Sequence, residues 1–254
     1  MKGRFATVVG VLLAAMAAPA VAAEHVSVAA AANLVYVIEP LNAEFSKVSP
    51  EVAVTSEIGA SGNLVAQISN GAPYDVFLSA DLEYPEALVR AGRAPAASLV
   101  TFAVGKLVLW SMRPGLDLSS VESVVRNPLV VKLALANPRT APYGRAAEQV
   151  LAKLGLAEIA KAKLVFGENI TQTAQYVASG NADAGFVALS LVLSPKLKNK
   201  GRWLEVPAAL YAPIAQGGVL TERGAANPAA RSYLQFLTSP AGRAVLARFG
   251  YGFP

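Results

Sequence analysis

Apolar positions along this chain follow two alternating periods. Leu34, Val37, Ile38, Leu41 and Phe45 recur at helical spacing and predict a helix over 34–46. On either side, 25–30 and 51–58 show the alternation or β-rich content of strands. The pattern continues with a short helix over 64–69, ended by Asn70-Gly71, and a strand at 76–78. Asp81 can then cap a helix running to Ala91, with Gly92 as its stop. One or two adjacent strands are predicted over 100–111. Strands at 131–136, 162–166 and 184–187 then alternate with helices over 144–154 and 171–179, and 206–220 reads as extended. Two helices, 229–237 and 241–249, close the chain, the second opened by Ser239-Pro240. Alternation of this kind predicts an α/β fold with mostly parallel sheets. Ligands of such sheets sit beyond the carboxyl ends of the strands, which directs attention to the strand-to-helix loops.

The first 23 residues stand apart from this pattern. Lys2 and Arg4 precede an apolar run from Val8 to Met16, and the small residues of 18–23 offer cleavage after Ala22 or Ala23. Together they read as a secretory signal peptide, so residues 1–23 are set aside from the fold. The run is shorter than the ~20 residues of a bilayer span, and with no cysteine in the sequence a lipid-anchored form is excluded. The remaining stretch of about 231 residues suits one large or two small lobes. A hydrophobic fraction of 54% against 15% charged residues indicates a packed globule. Loss of Lys2 and Arg4 lowers the formal charge from +5 to +3, a mild excess that attracts anions without specifying one. The densest basic run, Lys196, Lys198, Lys200 and Arg202, reads as a solvated loop, and no nucleic-acid partner is expected.

Four strand-to-helix loops share a character: 29–34, 59–64, 137–144 and 168–171. Their small residues let an anion approach the backbone, where free N–H groups at a helix start point towards it. Asn33 offers an amide, Ser61 a hydroxyl and Tyr143 a phenol, all neutral donors. Taken singly, Asn and Ser before a helix are ordinary caps, and Tyr143 between Pro142 and Gly144 is a packed loop aromatic.

The combination resembles the periplasmic molybdate-binding protein family, the solute-binding component of an ABC transporter. The resemblance rests on Val28-Ala29-Ala30-Ala31-Ala32-Asn33-Leu34, on the run from Ala60-Ser61-Gly62-Asn63-Leu64 to Ile68, on Gly71 to Asp81, and on Leu135 to Gly144. It implies a two-lobed periplasmic-binding-protein fold, each lobe a mostly parallel sheet flanked by helices, with a hinge of crossover strands near Val104 and near Val219–Thr221. The corresponding division is 24–103 plus 222–254 for the first lobe and 104–221 for the second. The resemblance further implies that Asn33 with Ala32 beside it, Ser61, Tyr143 and the backbone N–H of Ile170 bind the oxyanion. Many family members have a further tyrosine where this chain has Ala188, and Tyr143 can supply a phenol from the opposite wall instead. The implied ligand is molybdate, with tungstate beside it, and the implied partners are the permease and ATPase of an importer at the inner membrane. A monomeric periplasmic protein without a cofactor is expected.

Rival chemistries find little support in the residues. Asp75 and Asp81 could suggest a metal or a catalytic pair, but Asp81 suits a helix start and Asp75 the satisfaction of loop N–H groups. His25, the single histidine, is expected in solvent. Without a second histidine or any cysteine, zinc sites and most nucleophilic triads lose their usual residues. A hydrolase using Ser61 would need a Gly-x-Ser-x-Gly elbow, whereas Ser61 is followed by Gly62-Asn63. Within the same fold, sulfate, another oxyanion or a small organic anion is the alternative guest. Arg139 and Arg145 near the third loop could add a positive field from solvent-exposed positions.

Overall fold

Strands β1 (Glu24–Ala31), β2 (Val52–Gly59), β3 (Val76–Ser79) and β4 (Val100–Gly105) come first along this computed structural model, which describes residues 24–254. The expected signal segment lies outside the described residues. Between these strands run a 3-10 turn over Ala32–Leu34, then α1 (Ile38–Phe45), α2 (Ser61–Ser69) and α3 (Glu83–Arg90), and a second 3-10 turn over Ala96–Ser98. The chain then crosses into β5 (Leu107–Ser111), α4 (Val121–Arg126), β6 (Leu133–Ala136), α5 (Pro142–Lys153), α6 (Ala157–Lys161), β7 (Leu164–Gly167), α7 (Ile170–Ala178), β8 (Ala184–Ala188), α8 (Leu189–Val192) and β9 (Arg202–Glu205). It returns through β10 (Ile214–Leu220) and ends in α9 (Pro228–Thr238) and α10 (Pro240–Arg248).

Two five-stranded sheets result, in the orders β2-β1-β3-β10-β4 and β7-β6-β8-β5-β9. Each is mixed. β1 runs parallel to β2 and β3, and β6 parallel to β7 and β8. β10 is antiparallel to β3 and β4, and β5 is antiparallel to β8 and β9. The antiparallel strands are those that begin or end a crossing between lobes. The first crossing is at Lys106, between β4 and β5.

The second crossing departs from the expected division. β10 belongs to the first sheet, so the expected boundary at 221 and the expected hinge at Val219–Thr221 fall inside the first lobe. The chain changes sheets over 206–213, where Pro207 and Pro213 interrupt what reads in sequence as one extended segment. The expected helix over 34–46 also divides, into the turn at Ala32–Leu34 and α1. The short helices α4, α6 and α8 carry too few turns to show a period in sequence.

Both faces of the first sheet are buried. Leu34, Leu41, Phe45 and Tyr233 cover one, and Leu64, Phe77 and Leu88 pack on the other. The second lobe packs around Trp110, Leu135, Val150 and Phe186, and its cluster continues across the lobe boundary through Ala31, Ala32 and Ala80. Small side chains at that boundary let the two lobes come together closely.

Candidate functional site

The carboxyl ends of β1, β2 and β6 face one another across the lobe boundary and enclose a small cavity. Ala32, Asn33, Ser61, Tyr143 and Ile170 all line it, together with Gly59, Ala60, Ala80, Ala141, Pro142 and Asn169. The structure therefore brings together all five residues singled out in the sequence. The space free of protein atoms is no more than about 200 Å³, below the ~300–1,000 Å³ of sites for drug-sized ligands. None of the residues lining it is charged.

Four helical starts point at this cavity, and they share an omission. The Ala32–Leu34 turn, α2, α5 and α7 carry no acidic residue in their first turn. Of the other helices, α1, α3, α4 and α6 carry Glu39, Glu83 with Glu86, Glu122 and Glu158 there, while α8, α9 and α10, which do not line the cavity, also carry none. Acidic residues near a helix start neutralise its partial positive charge, so the four starts at the cavity keep theirs available. Three of them also lack a side-chain cap, being preceded by Ala31, Ala60 and Ala141. The fourth is capped selectively: Asn169 Oδ1 accepts from the N–H groups of Thr171 and Gln172, both at 3.0 Å, which leaves that of Ile170 for another acceptor.

The side chains divide by role. Ser61 Oγ accepts from the Ala80 N–H at 3.1 Å, so its own proton is free to be donated. Tyr143 is buried with its hydroxyl against Gly105, where an added methyl group would overlap it. Burial, then the nearby Tyr251 and Tyr211, raise the Tyr143 phenol well above the ordinary tyrosine range, so it stays a donor. Asn33 behaves differently from the sequence expectation. Both protons of its amide go to Gln216 Oε1 at 2.8 Å and Tyr251 Oη at 2.6 Å, leaving its backbone N–H as the donor it can offer a guest. Gln216 and Tyr251 gave no signal in sequence, because they meet Asn33 from 183 and 218 residues away; Ala80 lies in the Gly71 to Asp81 run, but its contact with Ser61 is not readable there. Ala188 is buried at the end of β8, opposite Leu107.

The lobes are latched around the cavity. Gly62 N–H donates to the Thr140 carbonyl at 3.0 Å, Thr171 Oγ1 to the Ala32 carbonyl at 2.8 Å, and Ser190 Oγ to the Asn33 carbonyl at 2.8 Å. At the rim, Arg145 pairs with Asp81 and donates to Tyr84 Oη at 3.3 Å, and that hydroxyl donates to the Arg139 carbonyl at 3.1 Å. Arg145 is thus a cross-lobe tie and not only a solvated charge. Asp81 also accepts from Ser79 Oγ and from the Tyr84 N–H at the start of α3. Asp75 is buried and accepts from the Ser27 N–H at 2.8 Å and from Arg223 at 3.0 Å, a structural role. His25 is exposed on β1 beside Thr55, remote from Ser61, which therefore has no imidazole partner.

Comparison with known proteins agrees with this architecture. Residues 26–252 match the bacterial extracellular solute-binding protein family. The molybdate-binding protein of Azotobacter vinelandii is 44% identical over 94% of each chain, and that of Rhodobacter capsulatus 41% identical over 94% of this chain and 92% of its own. The solved structure of an Azotobacter vinelandii periplasmic molybdate-binding protein superposes with a TM-score of 0.85 at 38% identity, covering 90% of this chain and 99% of that one. With fold, length and sequence in agreement, the chain belongs to the bacterial extracellular solute-binding proteins and, among them, to the molybdate-binding protein family.

Proposed function

We propose that this chain captures molybdate in the cavity between its lobes and delivers it to the permease and ATPase of an ABC importer. The observation that carries this reading is the convergence of four acid-free helical starts on a small uncharged cavity. A guest that satisfies them is a compact anion with acceptors on every side. The donors assigned to it are the backbone N–H groups of Ala32, Asn33, Ser61 and Ile170, the Ser61 hydroxyl and the Tyr143 phenol. Each hydrogen bond to a charged guest contributes roughly 1.5–3 kcal/mol, and each helix start adds ~0.3–1 kcal/mol, more where partly buried. Six such bonds offset the cost of ordering and desolvating the ion well enough for a dissociation constant below ~1 μM.

A pocket made only of donors also discriminates. Molybdate, tungstate and sulfate are fully ionised near neutral pH, whereas phosphate keeps a proton that would face a donor. Tungstate shares the size and charge of molybdate and is assigned as a second guest. The relatives point to a periplasmic location, with the signal segment removed after Ala22 or Ala23, and the mature chain acts as a monomer that closes about its two crossings.

Calorimetric titration of the mature protein with molybdate, tungstate, sulfate and phosphate tests the reading. Molybdate and tungstate are expected to bind at least tenfold more tightly than sulfate, with phosphate weakest. Absence of molybdate binding, with sulfate or a small organic anion raising the melting temperature instead, would overturn it.

A further inference from the structure

Asn33 is the node of a buried polar cluster behind the cavity. Its Nδ2 donates to Gln216 and to Tyr251. The orientation of Gln216 is fixed independently, because its Nε2 donates to the Ile214 carbonyl at 3.0 Å and the Ala80 carbonyl at 3.3 Å. Its Oε1 must therefore face Asn33 as an acceptor, which fixes which end of the Asn33 amide carries the nitrogen. The Asn33 backbone carbonyl accepts from Ser190 Oγ at 2.8 Å and from Tyr251 Oη at 3.3 Å, and those two hydroxyls lie 3.3 Å apart. All four residues are buried.

The members come from separate parts of the fold, spread over both lobes and both crossings. Gln216 stands on β10 at a register shift against β4, beside the second crossing. Tyr251 follows α10, next to the bridge between Gly252 and Val104 at the first crossing. Ser190 belongs to α8 of the second lobe. The cluster thus joins both crossings and both lobes to the turn that carries Ala32 and Asn33.

We propose that Gln216 and Tyr251 are positioning residues for anion capture: they hold Asn33, and through it the N–H groups of the Ala32–Leu34 turn, in the closed arrangement, while touching no guest themselves. This inference rests on the oxyanion reading of the cavity. Both residues act through Asn33, so their effects on affinity must depend on its side chain.

A double-mutant cycle tests that dependence, with molybdate titrated calorimetrically into the full mature protein. Tyr251→Phe removes one hydroxyl and Gln216→Met removes the amide at similar length. Each is expected to weaken binding about fivefold or more in the wild-type background and less than about twofold in the Asn33→Ala background. A residue that merely supports the fold would weaken binding equally in both backgrounds, and that result overturns the inference. Unchanged affinity in Tyr251→Phe overturns it as well, and this variant decides the matter if Gln216→Met does not fold. Wild-type protein that ignores molybdate would defeat the oxyanion reading itself; tight wild-type binding with indifferent variants defeats the positioning role alone.

Discussion

A hydroxyl that accepts one hydrogen bond can still give its proton away, and Ser61 is placed to do both. Removing it in Ser61→Ala deletes one bond to the guest and leaves the Ala80 N–H without its acceptor. The expected loss is roughly 1.5–3 kcal/mol of molybdate affinity by calorimetry and about 1–3 kcal/mol of stability in denaturant titration. Tyr143→Phe removes a donor but no internal acceptor, so it should weaken binding several-fold at nearly constant stability. The tyrosines also set a pH response. Burial raises Tyr143 and Tyr233, and it pushes Tyr251 up to about 12. These phenols remain neutral in the folded protein at pH values where the unfolded chain already ionises them. The folded state then binds more protons than the unfolded state, so stability falls as pH rises. Stability should be insensitive to these groups below pH ~10 and should decline above it, as thermal melts across pH 8–12 would reveal.

At the scale of the element, α7 shows how a cap can be selective. Asn169 satisfies Thr171 and Gln172 and spares Ile170. Asn169→Ala should destabilise the protein by about 1 kcal/mol, read from denaturant midpoints, and should also loosen the Ile170 N–H at the cavity. Local features of this kind are what a sequence makes legible. Regular strand–helix alternation exposes most elements, and small residues at 29–34, 59–64 and 137–144 mark the loops that meet. Motif likeness points to Ser61, Tyr143 and Ile170. The role of the Asn33 side chain escapes such a reading because its partners, Gln216 and Tyr251, lie 183 and 218 residues away. The second crossing escapes it because antiparallel insertion of β10 between β3 and β4 depends on pairing, which periodicity does not encode.

For the whole molecule, closure depends on close approach of the lobes and on the ties at the rim. A methyl group added at Gly62 would sit 2.6 Å from Tyr84 Oη and 3.1 Å from the Thr140 Cα across the cleft. Gly62→Ala should therefore hinder closure and weaken molybdate binding without lowering the melting temperature of the ligand-free protein. Arg145→Met removes the tie to Asp81 and Tyr84. Stopped-flow measurement should then give faster release with little change in association, and the difference from wild type should shrink as salt is added. The interleaved path of the chain has a consequence for how the protein is made. Residues 107–205 supply every strand of the second sheet, whereas the first sheet needs β10 between β3 and β4. A chain emerging from its N-terminus can complete the second lobe first, while β1 to β3 wait for a strand translated more than a hundred residues later. The lobe begun first is finished last, and the edge of β3 stays unpaired until β10 arrives.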